Sequence, residues 1–136
     1  MPQNKVLTII GWVLTVALSG MLFVSAYTKL AKIPQAVDGF KQAGYPDSAL
    51  VPIGVAEIIS TILFLIPHTR VLGAVLLTGY LGGAINHHVR MGEGFIVQAL
   101  FGVVVWLALF FRDTRIRSIL PIYQSASVSE SNTSAK

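Results

Sequence analysis

Four long apolar stretches constrain this chain more than any other feature of its sequence. A single charged residue, Glu57, occurs among residues 6–28, 48–69, 71–89 and 94–111. A helix that crosses a bilayer needs about 20 predominantly apolar residues, so each stretch predicts one transmembrane helix, the second ending at Pro67. Charged residues make up 12% of the chain, about half the share in ordinary soluble domains. This pattern excludes a soluble enzyme and a soluble nucleic-acid-binding domain.

Short connections join the four predicted helices and leave no room for a second domain. The predicted fold class is all-α, an integral membrane four-helix bundle over residues 1–117 with a Ser-rich, disordered tail over residues 118–136. The chain contains no cysteine, which excludes disulfides, a thiol redox couple, a Cys-ligated iron–sulfur cluster and a covalently attached haem. Any redox chemistry must therefore belong to a bound cofactor.

The longest connection, between the first two spans, has an amphipathic pattern of its own. Ile33, Val37 and Phe40 are spaced as on one face of a helix, and Gly44 suits a C-terminal cap. The pattern predicts a short helix over Pro34–Ala43 that lies in the membrane interface. The alternative interpretation is a surface loop.

The basic residues flank the membrane segments instead of forming one stripe, so we expect lipid headgroups and not nucleic acid as their partners. An even number of spans places both termini on one side of the membrane. Lysine and arginine are slightly more numerous on that side, which favours termini in the cytoplasm. The residues counted there are Lys5, Arg70, Arg112, Arg115 and Arg117.

Glu57 is the strongest candidate for a functional residue. It lies nine residues beyond Ser48, which places it about 13 Å deep on an ideal helix. An acidic side chain at that depth is costly unless it is partnered or protonated, so it should face the interior. Two interpretations stay open: a packing residue that is protonated or bonded by Tyr80, or a ligand or proton site. Residues expected on its helix face are Gly54, Ser60, Thr61, Phe64 and His68, and residues expected level with it on other helices are Ser19, Tyr80 and Val104.

The third predicted span carries a run of small residues. Gly79 and Gly83 form a G-x-x-x-G pattern, and Gly82 and Asn86 continue the same small or polar face. Such a face usually permits the close approach of another helix. The alternative is that the glycines line a slot for a ligand.

Two adjacent histidines, His87 and His88, follow Asn86 at the end of this span. Neighbouring residues point about 100° apart on a helix, so both rings cannot easily bind one ion, and we expect neither a metal nor a haem. Packing and headgroup bonding are one interpretation, and the polar mouth of a ligand cavity is the other.

Polar side chains concentrate in the half of the predicted bundle away from the termini. This asymmetry predicts a cavity that opens toward that face and is covered by the Pro34–Ala43 segment. The residues placed in this half are Ser25, Tyr27, Lys29, Glu57, Tyr80, Asn86, His87 and Gln98.

Several motifs over residues 20–112 resemble the DoxX-like family of small four-span membrane proteins. They include residues 23–30 (FVSAYTKL), 54–57 (GVAE), 79–84 (GYLGGA) and 88–92 (HVRMG). The resemblance implies a four-helix bundle and draws attention to Lys29, Glu57, His88 and Arg90. It implies less about activity, because some relatives are named as subunits of a thiosulfate:quinone oxidoreductase or of other membrane oxidoreductases, and others are chaperones or have no assigned role.

Two hypotheses of function follow for this bacterial or archaeal cytoplasmic membrane protein. In the first, the bundle binds a lipophilic small molecule, with quinone as a candidate cofactor, as an accessory subunit of a membrane redox system. Independent catalysis is not expected. Glu57 and Tyr80 would bond the polar group of the ligand. The mouth would be lined by Lys29, Asn86 and His88, near Arg90, and Gly82 and Gly83 would admit a flat ring.

In the second hypothesis the protein is an assembly or stability factor that packs against a partner membrane protein. Glu57 is then only a buried packing residue, and the partner is another membrane protein or a second copy of the chain. Transport of a small solute or a proton is a weaker third alternative, because the last two spans offer no further buried acid to relay charge.

Overall fold

The computed structural model describes residues 4–120, and helices are the only regular secondary structure in this part of the chain. Its helices are α1 (Lys5–Leu30), α2 (Pro34–Gln42), α3 (Leu50–Leu65), α4 (Arg70–Arg90), α5 (Ile96–Arg112) and α6 (Thr114–Ile119), with a 3₁₀ turn over Asp47–Ala49 before α3. The four long helices match the four predicted stretches to within a few residues. The all-α prediction is confirmed.

The four long helices pack around a shared apolar core. α1 packs against α3 and α5, and α4 packs against the same two helices. Buried core side chains come from all four: Leu18 and Leu22 of α1, Phe64 of α3, Leu77 and Leu81 of α4, and Val105 and Leu109 of α5.

Two glycines allow neighbouring helices to come unusually close. A Cβ atom on Gly11 of α1 would lie 2.6 Å from the backbone nitrogen of Arg112 in α5. A Cβ atom on Gly73 of α4 would overlap the backbone of Phe64 in α3. Both contacts leave no room for a side chain between the helix backbones.

Apolar side chains cover the outward faces of the long helices, while polar side chains occupy part of the interior. This is the reverse of the distribution in a soluble protein. Two segments, Lys5–Leu30 and Asp47–Leu65, are long and apolar enough to cross a membrane, and Ile96–Arg112 is apolar but shorter. Two of the predicted spans thus have the properties of membrane helices, and the full count of four stays a prediction. Exposed apolar residues include Val13, Val16, Ile59, Ile62, Leu72, Val75, Leu100 and Val103.

The predicted short helix between the first two long helices is present as α2. It begins at Pro34, whose fixed φ angle suits the first turn of a helix. Its Phe40 is buried, and the chain leaves the helix through Gly44 at φ +81°, a conformation that favours glycine. The helix prediction over Pro34–Ala43 is confirmed, while its position in a membrane interface is not tested.

The segment after α5 differs from the prediction. α6 was not predicted, and it begins because Asp113 accepts a hydrogen bond from the backbone N–H of Arg115 at 3.0 Å, as N-cap residues do. The predicted disordered tail starts at residue 118, but α6 continues to Ile119. Residues 121–136, where most of that tail falls, lie outside the described residues.

Two arginine side chains, Arg70 and Arg112, connect neighbouring helices at the end of the protein near α6. Arg112 is 5% exposed, donates a hydrogen bond to the carbonyl of Phe64, and lies 5.0 Å from the ring centroid of Trp12. Arg70 forms an ion pair of 2.6 Å with the buried Asp113. These two arginines, interpreted from the sequence as headgroup contacts, therefore bind other parts of the protein.

Candidate functional site

Glu57 points into the interior of the protein. It lies on the α3 face that also buries Gly54, Ser60, Thr61 and Phe64, and Glu57 itself is 1% exposed. The hydroxyls of Ser60 and Thr61 donate to backbone carbonyls of α3 itself, at 2.6 and 2.7 Å, so they do not pair with the carboxylate. The predicted inward orientation of Glu57 is confirmed, although His68, expected on the same face, is exposed.

Lys29 is the charged partner of Glu57. Its ammonium lies 2.9 Å from Glu57 Oε2, and it also donates to the hydroxyl and the carbonyl of Ser25, at 2.7 and 3.2 Å. The lysine comes from the last turn of α1, where Gly54 of α3 leaves room for its Cβ atom. The carboxylate is thereby neutralised inside the protein, as a buried charge must be.

The sequence prediction placed Lys29 at the mouth of the cavity and did not pair it with Glu57. Helix side chains tilt toward the N-terminus of their helix, so the long lysine side chain reaches back along α1 and deeper than its Cα atom. Applying that tilt to Lys29 is the signal that could have identified the pair. Ser19, predicted level with Glu57, is buried, and its hydroxyl has no partner among the described residues.

Tyr80 of α4 completes the group around Glu57, as the sequence predicted. The Lys29 ammonium lies 5.9 Å from the centroid of its ring, and Tyr80 lines the same cavity as Glu57. The second carboxylate oxygen, Glu57 Oε1, is buried without a hydrogen-bond partner in the described part of the chain. Three helices therefore converge on a carboxylate with one satisfied and one unsatisfied oxygen.

A cavity of about 500 Å³ lies beside this group. Its volume falls within the range of about 300–1,000 Å³ that is usual for small-molecule sites. Five of the predicted site residues line it, and α2 contributes to its wall as the sequence predicted. The predicted residues that line it are Lys29, Glu57, Tyr80, Gly83 and His88, and those that do not are Gly82, Asn86 and Arg90.

Three glycines in the middle of α4, unlike Gly73 at its start, do not pack against another helix among the described residues. A Cβ atom added to Gly79, Gly82 or Gly83 would meet nothing within 4 Å. The interpretation of this G-x-x-x-G pattern as a helix-packing face is therefore wrong within residues 4–120. Gly79 and Gly83 line the cavity instead, which is the alternative that the sequence left open.

Side chains at the end of α4 hold Tyr45, the residue that follows α2 and Gly44. The His87 ring stacks on Tyr45 with centroids 5.7 Å apart, Asn86 donates to the Tyr45 hydroxyl at 3.4 Å, and the Arg90 guanidinium lies 5.8 Å from the Tyr45 ring. Arg90 also donates to the carbonyl of Ala43 at 3.3 Å. Asn86 and Arg90 thus fix the α2 segment over the cavity and do not reach into it.

We expect Tyr45→Ala to release the α2 segment from α4. The substitution removes the ring that contacts Phe40, His87 and Arg90, and each such aromatic pair contributes about 0.5–1.5 kcal/mol. Amide hydrogen exchange of residues 31–46 should accelerate by about 10-fold or more, since about 1.4 kcal/mol is a factor of ten. Hydrogen–deuterium exchange with mass spectrometry measures this change.

Lys41→Met is the matched control for Tyr45→Ala. Lys41 pairs with Asp47 only at 3.9 Å, with both side chains more than half exposed, and such pairs contribute little. Its exchange should equal that of the wild type. Equal exchange in the Tyr45→Ala protein would contradict the proposed anchoring role of Tyr45.

His88 lies at the cavity wall and pairs with a carboxylate outside it. Its Nδ1 is 2.8 Å from Glu93 Oε2, and the Glu93 side chain is 54% exposed. Within residues 4–120, no three His, Asp or Glu side chains converge in a way that could hold a metal ion. The chemistry that this arrangement can perform is hydrogen bonding to a small molecule, by a buried charge pair at one side and polar groups near α2 at the other.

Comparison with known proteins gives one match. The model of the DoxX-like family matches residues 13–111, which include α1 from its third turn, the whole cavity wall and nearly all of α5. A search of curated proteins finds no match, and neither does a search of solved structures.

Proposed function

This chain belongs to the DoxX-like family, and on that premise we propose that it is a four-span membrane protein that binds a lipophilic small molecule in the cavity beside Glu57. The ligand serves a membrane redox system in which the protein is an accessory subunit. The observation that carries this proposal is the ion pair between Lys29 and the buried carboxylate of Glu57 at the wall of a cavity of about 500 Å³.

Four spans are supported by the surfaces of α4 and α5. α4 has 21 residues, about 31 Å at 1.5 Å per residue, which matches a hydrocarbon core about 30 Å thick. α5 has 17 residues, the short end of the range for a span. Both helices expose apolar side chains, as α1 and α3 do: Leu72, Val75 and Leu76 on α4, and Val97, Leu100 and Val103 on α5. We place both termini on the cytoplasmic side of a bacterial or archaeal cytoplasmic membrane.

The cavity wall favours a ligand with an apolar body and a polar end. Leu22, Ile53, Leu81 and Phe101 supply apolar surface, and Glu57 with Tyr80 supplies the polar end. Small-molecule sites commonly combine a mostly apolar wall with a few placed polar groups. A quinone, together with its hydroquinone form, is our candidate ligand because a flat ring fits the space beside Gly79 and Gly83 and the Glu57 carboxylate can accept a hydrogen bond from a ring hydroxyl.

We expect Glu57→Gln to lose the bound lipophile while the fold persists. Hydrogen bonds to a charged group contribute about 1.5–3 kcal/mol, which corresponds to a loss of roughly 10-fold to 100-fold in affinity. Mass spectrometry of lipophiles extracted from protein purified in mild detergent measures the loss. Size-exclusion chromatography and circular dichroism establish that the variant is folded.

Val55→Ala is the matched control for this experiment. Val55 is on the outward side of the same helix and is 41% exposed, so its truncation should leave the bound lipophile unchanged. If neither wild type nor variant carries a lipophile and a membrane protein co-purifies in equal amount, the ligand proposal fails. The assembly factor is then the better explanation.

A further inference from the structure

The Lys29 ammonium has no proton left for a ligand. An ammonium carries three donors, and Lys29 uses them on the Ser25 carbonyl at 3.2 Å, the Ser25 hydroxyl at 2.7 Å and Glu57 Oε2 at 2.9 Å. The cationic donor beside the cavity is therefore occupied by the protein itself.

Three buried polar atoms without a partner in residues 4–120 belong to residues that line the cavity. They are Glu57 Oε1, Gln98 Oε1 and His87 Nδ1, from α3, α5 and α4. The first two are oxygens that can only accept hydrogen bonds. Glu57 is 1% exposed, so its free oxygen is shielded from bulk water. A buried acceptor without a partner destabilises the protein, and a hydrogen bond from a ligand donor would remove this cost.

Charge restricts the ligand further. Lys29 and Glu57 neutralise each other, so a ligand cation that approached Glu57 would be repelled by the Lys29 ammonium, and a ligand anion would be repelled by the carboxylate. The remaining wall is largely apolar. Open space beside Gly79 and Gly83, where a Cβ atom would meet nothing within 4 Å, lets a flat body lie against the backbone of α4.

We infer that the cavity selects a neutral lipophile that donates a hydroxyl proton to Glu57 Oε1, over the same molecule with a carbonyl or ether oxygen at that place. This inference rests on the proposed function, since it assumes that the cavity binds a ligand. For a ligand that exists as a quinone and its hydroquinone, the form held is the reduced one, because only the hydroquinone carries hydroxyl donors.

A pair of probes that differ in one donor tests the inference. 4-Hexylphenol and its methyl ether, 4-hexylanisole, are titrated by calorimetry into the full-length protein in nanodiscs, with empty nanodiscs correcting for partition into lipid. The phenol should bind about 10-fold or more tightly, as a hydrogen bond to a charged acceptor implies. Equal affinities overturn the inference but leave the proposed function intact. Absence of binding by both probes overturns both.

Glu57→Gln provides a second test, because it should abolish or reverse the preference for 4-hexylphenol over 4-hexylanisole. In this variant the amide oxygen can accept from Lys29, which leaves the NH₂ group as a donor toward the cavity. The preference should disappear or reverse in favour of 4-hexylanisole, whereas Ser60→Ala, whose hydroxyl is bonded to Ala56, should keep the wild-type preference. An unchanged phenol preference in Glu57→Gln overturns the inference. If this variant does not fold, the wild-type comparison alone decides.

Discussion

Gly73→Ala is expected to lower the melting temperature of the purified protein by roughly 10 °C or more. The added Cβ atom would overlap backbone atoms of Leu63 and Phe64. If the atoms that it meets belonged to a side chain, they could rotate away, but the backbone atoms of a helix cannot. α3 and α4 would therefore have to separate along their contact. Overpacking of a core commonly costs about 1–3 kcal/mol, and a collision between backbones should exceed that range.

Gly20→Ala is the matched control, because it adds the same methyl group to a helix where nothing described lies within 4 Å. Alanine is a better helix former than glycine by about 1 kcal/mol, so this variant should melt at the wild-type temperature or slightly above it. Thermal unfolding in detergent, followed by circular dichroism, compares the two. Equal melting temperatures for Gly73→Ala and Gly20→Ala would show that α3 and α4 are not in close contact at Gly73.

Gly73 also shows which aspect of helix packing could not be predicted from the sequence. The G-x-x-x-G spacing drew attention to Gly79 and Gly83, but spacing does not reveal which face of a helix meets its neighbour. That face is set by the short connection between α3 and α4, residues 66–69. Gly73 lies in the first turn of α4, close to this connection, where the two helices are still held together.

Other parts of the fold could be predicted because their signals are local. The four long helices follow from uninterrupted apolar stretches, and α2 follows from its periodicity, its initial proline and Gly44. The inward orientation of Glu57 follows from the cost of exposing a charge to lipid. α6 could not be predicted in the same way, since six residues carry too little periodicity and its start depends on a single cap by Asp113.

The candidate site was predicted in part for a similar reason. Counting residues along ideal helices places Cα atoms, and it correctly put Tyr80 near Glu57. It does not place the end of a long side chain, so the prediction put the ammonium of Lys29 at the mouth of the cavity and not beside the carboxylate of Glu57. Asn86 and Arg90 were close to the correct region, but their side chains contact Tyr45 and Ala43 and not the cavity.

The Lys29–Glu57 pair leads to the second prediction with a large effect. Lys29→Met should destabilise the protein by about 3–5 kcal/mol, because it leaves the carboxylate buried and uncompensated. Lys29→Met combined with Glu57→Met should recover most of this loss, since two apolar side chains of similar length replace the charge pair. Chemical or thermal unfolding in detergent of both single variants and the double variant measures the coupling.

The Lys29→Met/Glu57→Met double variant, together with Glu57→Leu, also distinguishes a structural role of the ion pair from a role in binding. Glu57→Leu should still insert and fold, although it leaves Lys29 without its partner. Lys29 lies at the end of α1 with 12% of its side chain exposed, so it can extend its ammonium toward the interface, as lysines near helix ends do. A folded double variant that has lost the bound lipophile would mean that the charge pair is retained for binding and not for stability. Failure of Glu57→Leu and of the double variant to fold would make the pair primarily architectural, and the ligand proposal would lose its main support.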